Sequence, residues 1–410
     1  MSRSSIKRVL AKSLSAVFVF TSILGSGITA SASSTSSFAS EFTNPGQDAR
    51  LMTRYWLPGG AVNADDVAID IEDMRKQGFG GVEIVNLPTP SLTSTVDPVK
   101  YGWQSEAWVK AIEAVLTAAE ENNMKADITI GPVWPATSPL ITPNDDGASK
   151  QLDFGIKKIN AGETYTGEVP GPGPSSNAAV TKQELIAVTV AKVTNFVETS
   201  GRTKSYTYTL DENSLQDITD LVNENNEITW TAPDGEEGEQ WIILGFWMQG
   251  TGATVSATSG LLSDPQSYAV NHLSKAGAKA VTDFWDEYIL GRSEIIRNHI
   301  KNYPTAFFED SLEVKGSLLW TREMLDTFKE LKDYDLTKYL PLLYKSVSDQ
   351  GGTEQKGTYT FNIESTDKAN RINRDYTEVR GQLYIENHLK PIRDWAKSQG
   401  FIFRAQTYNN

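Results

Sequence analysis

The chain has 410 residues of ordinary globular composition, 39% hydrophobic and 22% charged, which excludes wholesale disorder and allows two or three domains or one large barrel with an insertion. Its 38 lysines and arginines against 52 aspartates and glutamates give a net charge of −14, so nucleic acid is not expected as a partner. There is no cysteine and there are three histidines, which excludes disulfides, thiol nucleophiles and cysteine-based metal sites and argues against a histidine-rich metal centre. Any enzymatic chemistry therefore falls to carboxylates and aromatic side chains.

The first 32 residues have the pattern of a secretory signal peptide. Four lysines and arginines precede an apolar stretch at 14–28, and Ala30-Ser31-Ala32 is a typical cleavage signal. The alternative, a membrane anchor, needs about 20 uninterrupted apolar residues, whereas serines, threonine and glycines interrupt this run. We therefore expect cleavage after Ala32, secretion, no membrane association of the mature chain, and a serine-rich linker at 33–44.

Residues 45–149 alternate between strand and helix patterns. Strand-like runs at 51–57, 80–86 and 126–130 are separated by two amphipathic helices, for which Asn63 and Ser105 are good N-caps. This βαβαβ rhythm is typical of a parallel sheet or a (β/α) barrel.

The rhythm breaks over residues 150–262. Runs rich in threonine, valine and aromatic residues are separated by turn-rich segments, among them the proline–glycine stretch 170–174 and the acidic stretch 234–239, which we interpret as a solvated loop. The pattern predicts an antiparallel β insertion with strands at 185–192, 206–210, 228–231 and 241–247.

Residues 263–410 return to helices and strands. Helical patterns cover 267–301, 321–332, 336–345 and 367–398, and Pro391 is expected to kink or break the last of them. Further strands are predicted at 304–308 and 401–408. In a barrel strand, the alternation at the chain end would direct Arg404, Gln406 and Tyr408 into the lumen near its C-terminal mouth.

Three carboxylates, Glu309, Asp310 and Glu313, directly follow the fourth predicted strand. Crowded carboxylates raise one another's pKa, so that one of them stays protonated as a general acid requires. The alternative is a helix N-terminus in which Ser311 is the cap and the acids complement the helix dipole. The residues alone do not decide between these interpretations.

Aromatic and polar side chains are predicted at the same strand ends. Trp134 leaves the third strand on a rigid turn and is suited either to stacking on a sugar or to filling the core, and Trp56 ends the first strand. Asn86 and Glu83, both on the second strand, converge on the same end. Glu83 is alternatively a structural carboxylate paired with Arg54, and we favour this second interpretation.

Two further polar residues are interpreted as structural. Asp127 begins its strand and is therefore placed away from the mouth, and His272 is expected to be a hydrogen-bonded structural histidine. Nucleotide-binding fingerprints, the G-x-S-x-G elbow, H-E-x-x-H and EF-hand loops are absent from the sequence, although clustered acids can bind calcium through non-local ligands.

Several segments recur in collinear order in a known family. They are RYWLPGGAV at 54–62, GFGGVE at 78–83, DITIGPVWP at 127–135, ITPNDD at 141–146, EDSLE at 309–313, LWT at 319–321, YDL at 334–336, YLP at 339–341, WA at 395–396 and RAQTY at 404–408. Together they resemble glycoside hydrolase family 106, the α-L-rhamnosidases and related secreted glycosyl hydrolases.

The resemblance implies a partial (β/α)8 TIM-type barrel of about five β/α units, with the β insertion after the third strand (barrel segments 45–149 and 263–410, insertion 150–262). It implies exo-acting, inverting hydrolysis of α-L-rhamnosides, possible assistance by calcium, and Glu313 as general acid in a site with Asp310 and Glu309. The family's base lies beyond the strand that matches 401–408, so the barrel is expected to be incomplete at its C-terminus and the chain to be the N-terminal part of the catalytic region.

The carbohydrate substrate is expected to contact one set of side chains at the mouth: Trp56, Trp134, Asn86, Arg404, Gln406 and Tyr408. The alternative functions are a non-catalytic carbohydrate-binding protein and an inactive truncated fragment.

Overall fold

The computed structural model describes residues 33–86, 95–255, 263, 265–345, 347–348 and 357–406. The predicted signal peptide and Tyr408 lie outside these residues. The chain divides into two units, one ending at Leu51 and the other beginning at Met52. The first holds the helix Ser33–Thr43 and the 3₁₀ turn Gln47–Ala49, where the sequence suggested a serine-rich linker.

The second unit mixes strands and helices. Its strands, numbered in chain order, are β1 (Met52–Leu57), β2 (Gly81–Asn86), β3 (Lys125–Thr129), β4 (Thr137–Ser138), β5 (Lys150–Asn160), β6 (Thr164–Glu168), β7 (Gln183–Thr199), β8 (Ser205–Leu210), β9 (Gln216–Asp217), β10 (Glu227–Thr231), β11 (Gln240–Gly250), β12 (Tyr268–Ala269), β13 (Ala306–Glu309), β14 (Leu319–Trp320), β15 (Val347–Ser348), β16 (Thr358–Ile363) and β17 (Ile402–Ala405). Its α-helices are Ala64–Lys76, Pro98–Tyr101, Glu106–Glu121, Lys275–Phe284, Glu294–Asn302, Met324–Lys332, Thr366–Tyr384 and Lys390–Gln399. Single 3₁₀ segments lie at Glu212–Ser214, Thr219–Leu221 and Thr337–Leu343, and π-helical segments at Trp285–Leu290 and Ile385–Leu389.

The predicted βαβαβ alternation forms a parallel sheet with the order β1-β2-β3-β13-β17. Each of its pairings is parallel. Within the described residues β1 and β17 pair on one side only, so the sheet is open there. The prediction of a mixed α/β fold with a parallel sheet is confirmed, whereas the described part of the chain does not close into a barrel.

Local signals explain where the first helices begin. The Asn63 side chain accepts a hydrogen bond from the backbone of Asp65, and Ser105 accepts one from the backbone of Trp108. The apolar faces of these two helices pack on the sheet in one buried cluster. Every residue of β2 is buried, as expected for a strand covered on both faces.

A second sheet has the order β14-β5-β11-β7-β8-β16-β15, with β9 beside β7. The antiparallel strands predicted for the insertion are present in β7, β8 and β11, while β10 pairs with β6 in a separate ribbon. Strand β16, which we did not predict, pairs in parallel with β8 and brings a later part of the chain into this sheet. The predicted domain boundaries stay predictions.

The last helical stretch is interrupted as Pro391 predicted. The helix Thr366–Tyr384 passes into the π segment Ile385–Leu389, and the following helix has the proline in its first turn. The predicted helix at 267–301 is likewise divided, by β12 and a π segment. Among the described residues no helix combines the length and apolar composition needed to cross a bilayer.

Candidate active site

A belt of opposite charges crosses one face of the parallel sheet. Arg54 on β1 lies opposite Glu83 on β2, which lies opposite Asp127 on β3. Arg54 Nε donates to Glu83 Oε1 at 3.0 Å, and Arg404 on β17 donates to Glu83 and, at 3.1 Å, to Asp127 Oδ2. The predicted pairing of Glu83 with Arg54 is confirmed.

Burial controls the protonation of the carboxylates in this belt. Burial raises the pKa of Glu83, and Arg404 and Arg54 oppose that shift. Burial also raises the pKa of Asp127, whose Oδ1 accepts the backbone N–H of Ala306 at 2.9 Å. These contacts support the structural role expected of Asp127, because they link β3 to β13 and β17.

A cavity of about 280 Å³ opens on this face of the sheet. Two residues predicted to bind substrate, Arg404 and Gln406, line it with Arg54, Glu83 and Phe308. The guanidinium of Arg404 lies 4.4 Å from the centre of the Phe308 ring, and that of Arg54 lies 5.7 Å from it. The cavity thus combines two cations with an aromatic floor.

Both predicted indoles flank the same cation. The Arg54 guanidinium lies 5.6 Å from the Trp56 ring and 5.8 Å from the Trp134 ring. Trp56 is 38% exposed, whereas Trp134 is half-buried and packs beside Val133 and Val85. Trp56 is therefore the more exposed of the two indoles, and Trp134 is partly enclosed by apolar side chains.

The Asn86 side chain forms a hydrogen bond to the turn that follows β1. Its side chain is fully buried, and its Oδ1 accepts the backbone N–H of Gly59 at 3.0 Å. Gly59 has a φ of 59°, a backbone conformation that favours glycine. The predicted contact of Asn86 with substrate has no exposed atom to rest on, because the side chain holds this turn instead.

The three clustered carboxylates point to different partners. Asp310 Oδ2 accepts from Arg54 at 2.6 Å on the belt side of the sheet, and Glu309 accepts from His388 at 2.5 Å on the helix side. Glu313 is half-buried and accepts from Ser311 Oγ at 3.3 Å. Neighbouring residues of a strand face opposite sides of the sheet, which separates Glu309 from Asp310.

The alternative interpretation of this segment, a helix N-terminus capped by Ser311, is wrong. No helix begins there: irregular chain leads from β13 to β14, and the next helix begins at Met324. The acids at this strand end are placed by tertiary contacts and not by a helix dipole.

Sequence reasoning missed two residues that organise the site. Arg54 was expected to contact Glu83 but not Asp310, which is 256 positions away in the sequence. His388 was not assigned a role; its one sequence signal is its place three residues before the proline that breaks the helix.

The family resemblance suggests calcium, so we ask which clustered side chains of the described residues could share an ion. Among the described residues, the one group of three histidine, aspartate or glutamate side chains close enough to share an ion is His272, Glu309 and His388. Calcium takes oxygen ligands, so two imidazoles do not fit it. The acids of the charged belt are neutralised by arginines instead.

Comparisons with known proteins agree with this architecture. A family model described as alpha-L-rhamnosidase matches residues 188–408, which include the carboxylate segment and Arg404. The structure of a rhamnosidase from Novosphingobium sp. PP1Y is similar with a TM-score of 0.57 and 16% sequence identity, over 90% of this chain and 47% of that one. The chain thus spans about half the length of that rhamnosidase, and the likeness shows a shared fold.

No curated protein sequence matches the chain. The family match nevertheless extends over more than half of its 410 residues. The chain belongs to the alpha-L-rhamnosidase family, glycoside hydrolase family 106.

Proposed function

We propose that the protein is a secreted, exo-acting glycoside hydrolase that cleaves α-L-rhamnosides with inversion at the anomeric carbon. Family membership is the observation that carries this proposal. The arrangement of Arg54, Asp310 and two indoles at the strand ends supports it, because aromatic faces and charged hydrogen-bonding groups together recognise sugars. We further propose that the parallel sheet is five strands of a (β/α)8 barrel.

Exposure favours Glu313 as the general acid. Glu309 and Asp310 are 1% and 6% exposed, whereas Glu313 is half-buried and so has a surface that a glycosidic oxygen can reach. An inverting reaction needs a second carboxylate about 6.5–9.5 Å away that activates water. By the family resemblance this base lies beyond the strand that matches 401–408.

The remaining residues bind and orient the substrate in this proposal. The exposed part of the Trp56 ring stacks on the apolar face of the sugar. Arg54 holds Asp310 in place, and Arg404 and Gln406 donate to sugar hydroxyls from the cavity wall. We propose no step that involves calcium.

The test is Glu313→Gln in the protein translated from the complete open reading frame, assayed on an aryl α-L-rhamnoside. We expect kcat to fall about 10²–10⁴-fold, because a general acid contributes about that much. Glu330→Gln, on the exposed side of the helix Met324–Lys332, is the matched control and should keep the wild-type rate. Proton NMR of the first sugar released should show the β anomer.

Three results contradict parts of this proposal. A wild-type rate in Glu313→Gln refutes the acid assignment, and the α anomer as first product refutes inversion. Sugar binding without release by the wild-type protein favours a non-catalytic carbohydrate-binding role.

A further inference from the structure

Two of the three histidines of the chain lie beside Glu309 on the helix side of the parallel sheet. Glu309 ends β13, His388 belongs to the π segment Ile385–Leu389, and His272 lies between β12 and the helix Lys275–Phe284. Their exposed fractions are 5% for His272, 1% for Glu309 and 0% for His388. Three distant segments therefore converge on one buried point.

The potential ligand atoms of this cluster are close together. His388 Nε2 lies 2.5 Å from Glu309 Oε1, and His272 Nε2 lies 3.8 Å from the same oxygen. One ligand atom from each residue can be chosen so that all lie within 4.8 Å of one another. Ligands at about 2.0–2.1 Å from a tetrahedral zinc ion are about 3.3–3.4 Å apart, so small side-chain shifts suffice to surround an ion.

The contacts within the cluster leave buried polar atoms unsatisfied. Glu309 Oε2, His388 Nδ1 and both ring nitrogens of His272 have no hydrogen bond of good geometry within the described residues.

A plain hydrogen bond explains only part of this arrangement. It accounts for one oxygen of Glu309 and one nitrogen of His388. It leaves Glu309 Oε2 and the ring nitrogens of His272 without a hydrogen bond of good geometry. Within the described residues Glu309 lies close to these two histidines, and no lysine or arginine forms an ion pair with it. Unpaired polar groups inside a protein are costly and call for an unseen partner.

The chemistry of the donors defines the partner. Two imidazoles and one carboxylate suit zinc and its first-row neighbours and do not suit calcium or magnesium. A cavity of about 240 Å³ is lined by His272 and Tyr384, but not by Glu309 or His388. The composition of the chain argued against a histidine-rich metal centre, but this set needs only two histidines.

We propose that His272, Glu309 and His388 bind one divalent transition-metal ion of the zinc class. The ion would join the end of β13 to the π segment and to the chain before the helix Lys275–Phe284. The site is separate from the charged belt and from Glu313, so it goes beyond the proposed hydrolase function and does not depend on it.

The test is metal binding by the full, untagged chain after dialysis against a chelator. We expect one equivalent of Zn²⁺ by calorimetry, and visible absorption bands of a tetrahedral or five-coordinate complex when Co²⁺ is added. His272→Gln and His388→Gln should each weaken binding at least a hundredfold. Millimolar Ca²⁺ should not displace Co²⁺.

His299→Gln is the matched control, because His299 is also buried and bonded to a glutamate, Glu120, but lies outside the cluster. It should keep wild-type affinity. Metal should raise the melting temperature of the wild type and of His299→Gln, and leave that of His272→Gln unchanged.

Either of two results overturns the proposal. One is a wild-type chain that binds well below one equivalent or shows no cobalt bands. The other is unchanged affinity in both cluster variants. If the variants do not fold, the stoichiometry and cobalt spectrum of the wild type decide alone.

Discussion

At the scale of single residues, Arg54 connects the parts of the candidate active site. It contacts Glu83 and Asp310 and lies between two indoles. The pair with Glu83 was predictable, because both residues occupy predicted neighbouring strands. The contact with Asp310 was not, because it depends on where β13 enters the sheet.

Because the Lys150 side chain is buried, we expect the free energy of unfolding to depend on pH. It is 6% exposed, its Nζ donates to the backbone carbonyl of Pro143 at 2.9 Å, and burial lowers its pKa from 10.5 to about 8. Below about pH 8 Lys150 is protonated in both states, but its charge is buried only in the folded state. Between about pH 8 and pH 10.5 the unfolded chain binds the proton more tightly, so the free energy of unfolding should rise with pH.

Urea denaturation of wild type and Lys150→Met at pH 7 to 10 tests this expectation. The difference in unfolding free energy, wild type minus variant, should increase above pH 8, because methionine has no proton to lose. Lys182→Met removes an exposed lysine and should show no such trend. A pH-independent difference for Lys150→Met would contradict the prediction.

At the scale of elements, strand alternation decides what the acidic segment does. The sequence located three carboxylates at a strand end, but the direction of β13 separates Glu309 from Asp310 by placing them on opposite faces. The helix that contributes His388 reaches Glu309 through a π segment. Such segments widen a helix by one residue per turn and often occur at functional sites.

Two glycines in neighbouring strands allow a close approach of the backbone at residues 170–171. Gly245 on β11 lies opposite Gly155 on β5, and the proline–glycine segment at 170–171 crosses above them. A Cβ on Gly245 would lie 2.2 Å from the Pro170 carbonyl oxygen. Gly245→Ala should therefore lower the unfolding free energy by about 1–3 kcal/mol, as overpacking does.

Gly381→Ala is the matched control for that substitution. Gly381 is in the helix Thr366–Tyr384, and a Cβ there would meet nothing within 4 Å. Alanine should stabilise the helix by about 0.5–1 kcal/mol. If urea denaturation gives both variants the same stability, the close approach at Gly245 is not required by the fold.

At the scale of the whole molecule, one long helical run spans two hydrophobic cores. Its first part places Val379 and Leu383 in the core beneath the large sheet, and its last part places Ile392 and Ala396 in the core beneath the parallel sheet. The two cores have different strands but share this run. We therefore expect them to unfold together.

Leu383→Ala and Ile392→Ala test this coupling. Each should lower the unfolding free energy by about 2–5 kcal/mol, because each leaves a cavity in a packed core. Circular dichroism and tryptophan fluorescence should report one coincident transition in both variants. Ile295→Ala, at a position 48% exposed, should change stability by less than about 0.5 kcal/mol. If unfolding shows two separate transitions, and each variant shifts the midpoint of only one of them, the two cores unfold independently.

The sequence alone determined the family, strands β1, β2 and β3 with the two long helices between them, the β-rich character of the hundred residues after position 149, and the candidate carboxylates. These follow from short-range signals, since caps, turn residues and apolar periodicity act within a few positions of the chain. Tertiary structure decided the rest: that Arg54 holds Asp310, that Asn86 supports a turn, that β16 joins the large sheet, and that His272, Glu309 and His388 meet. Each of these contacts joins residues far apart in sequence, and strand order and helix direction, which create them, leave no local pattern.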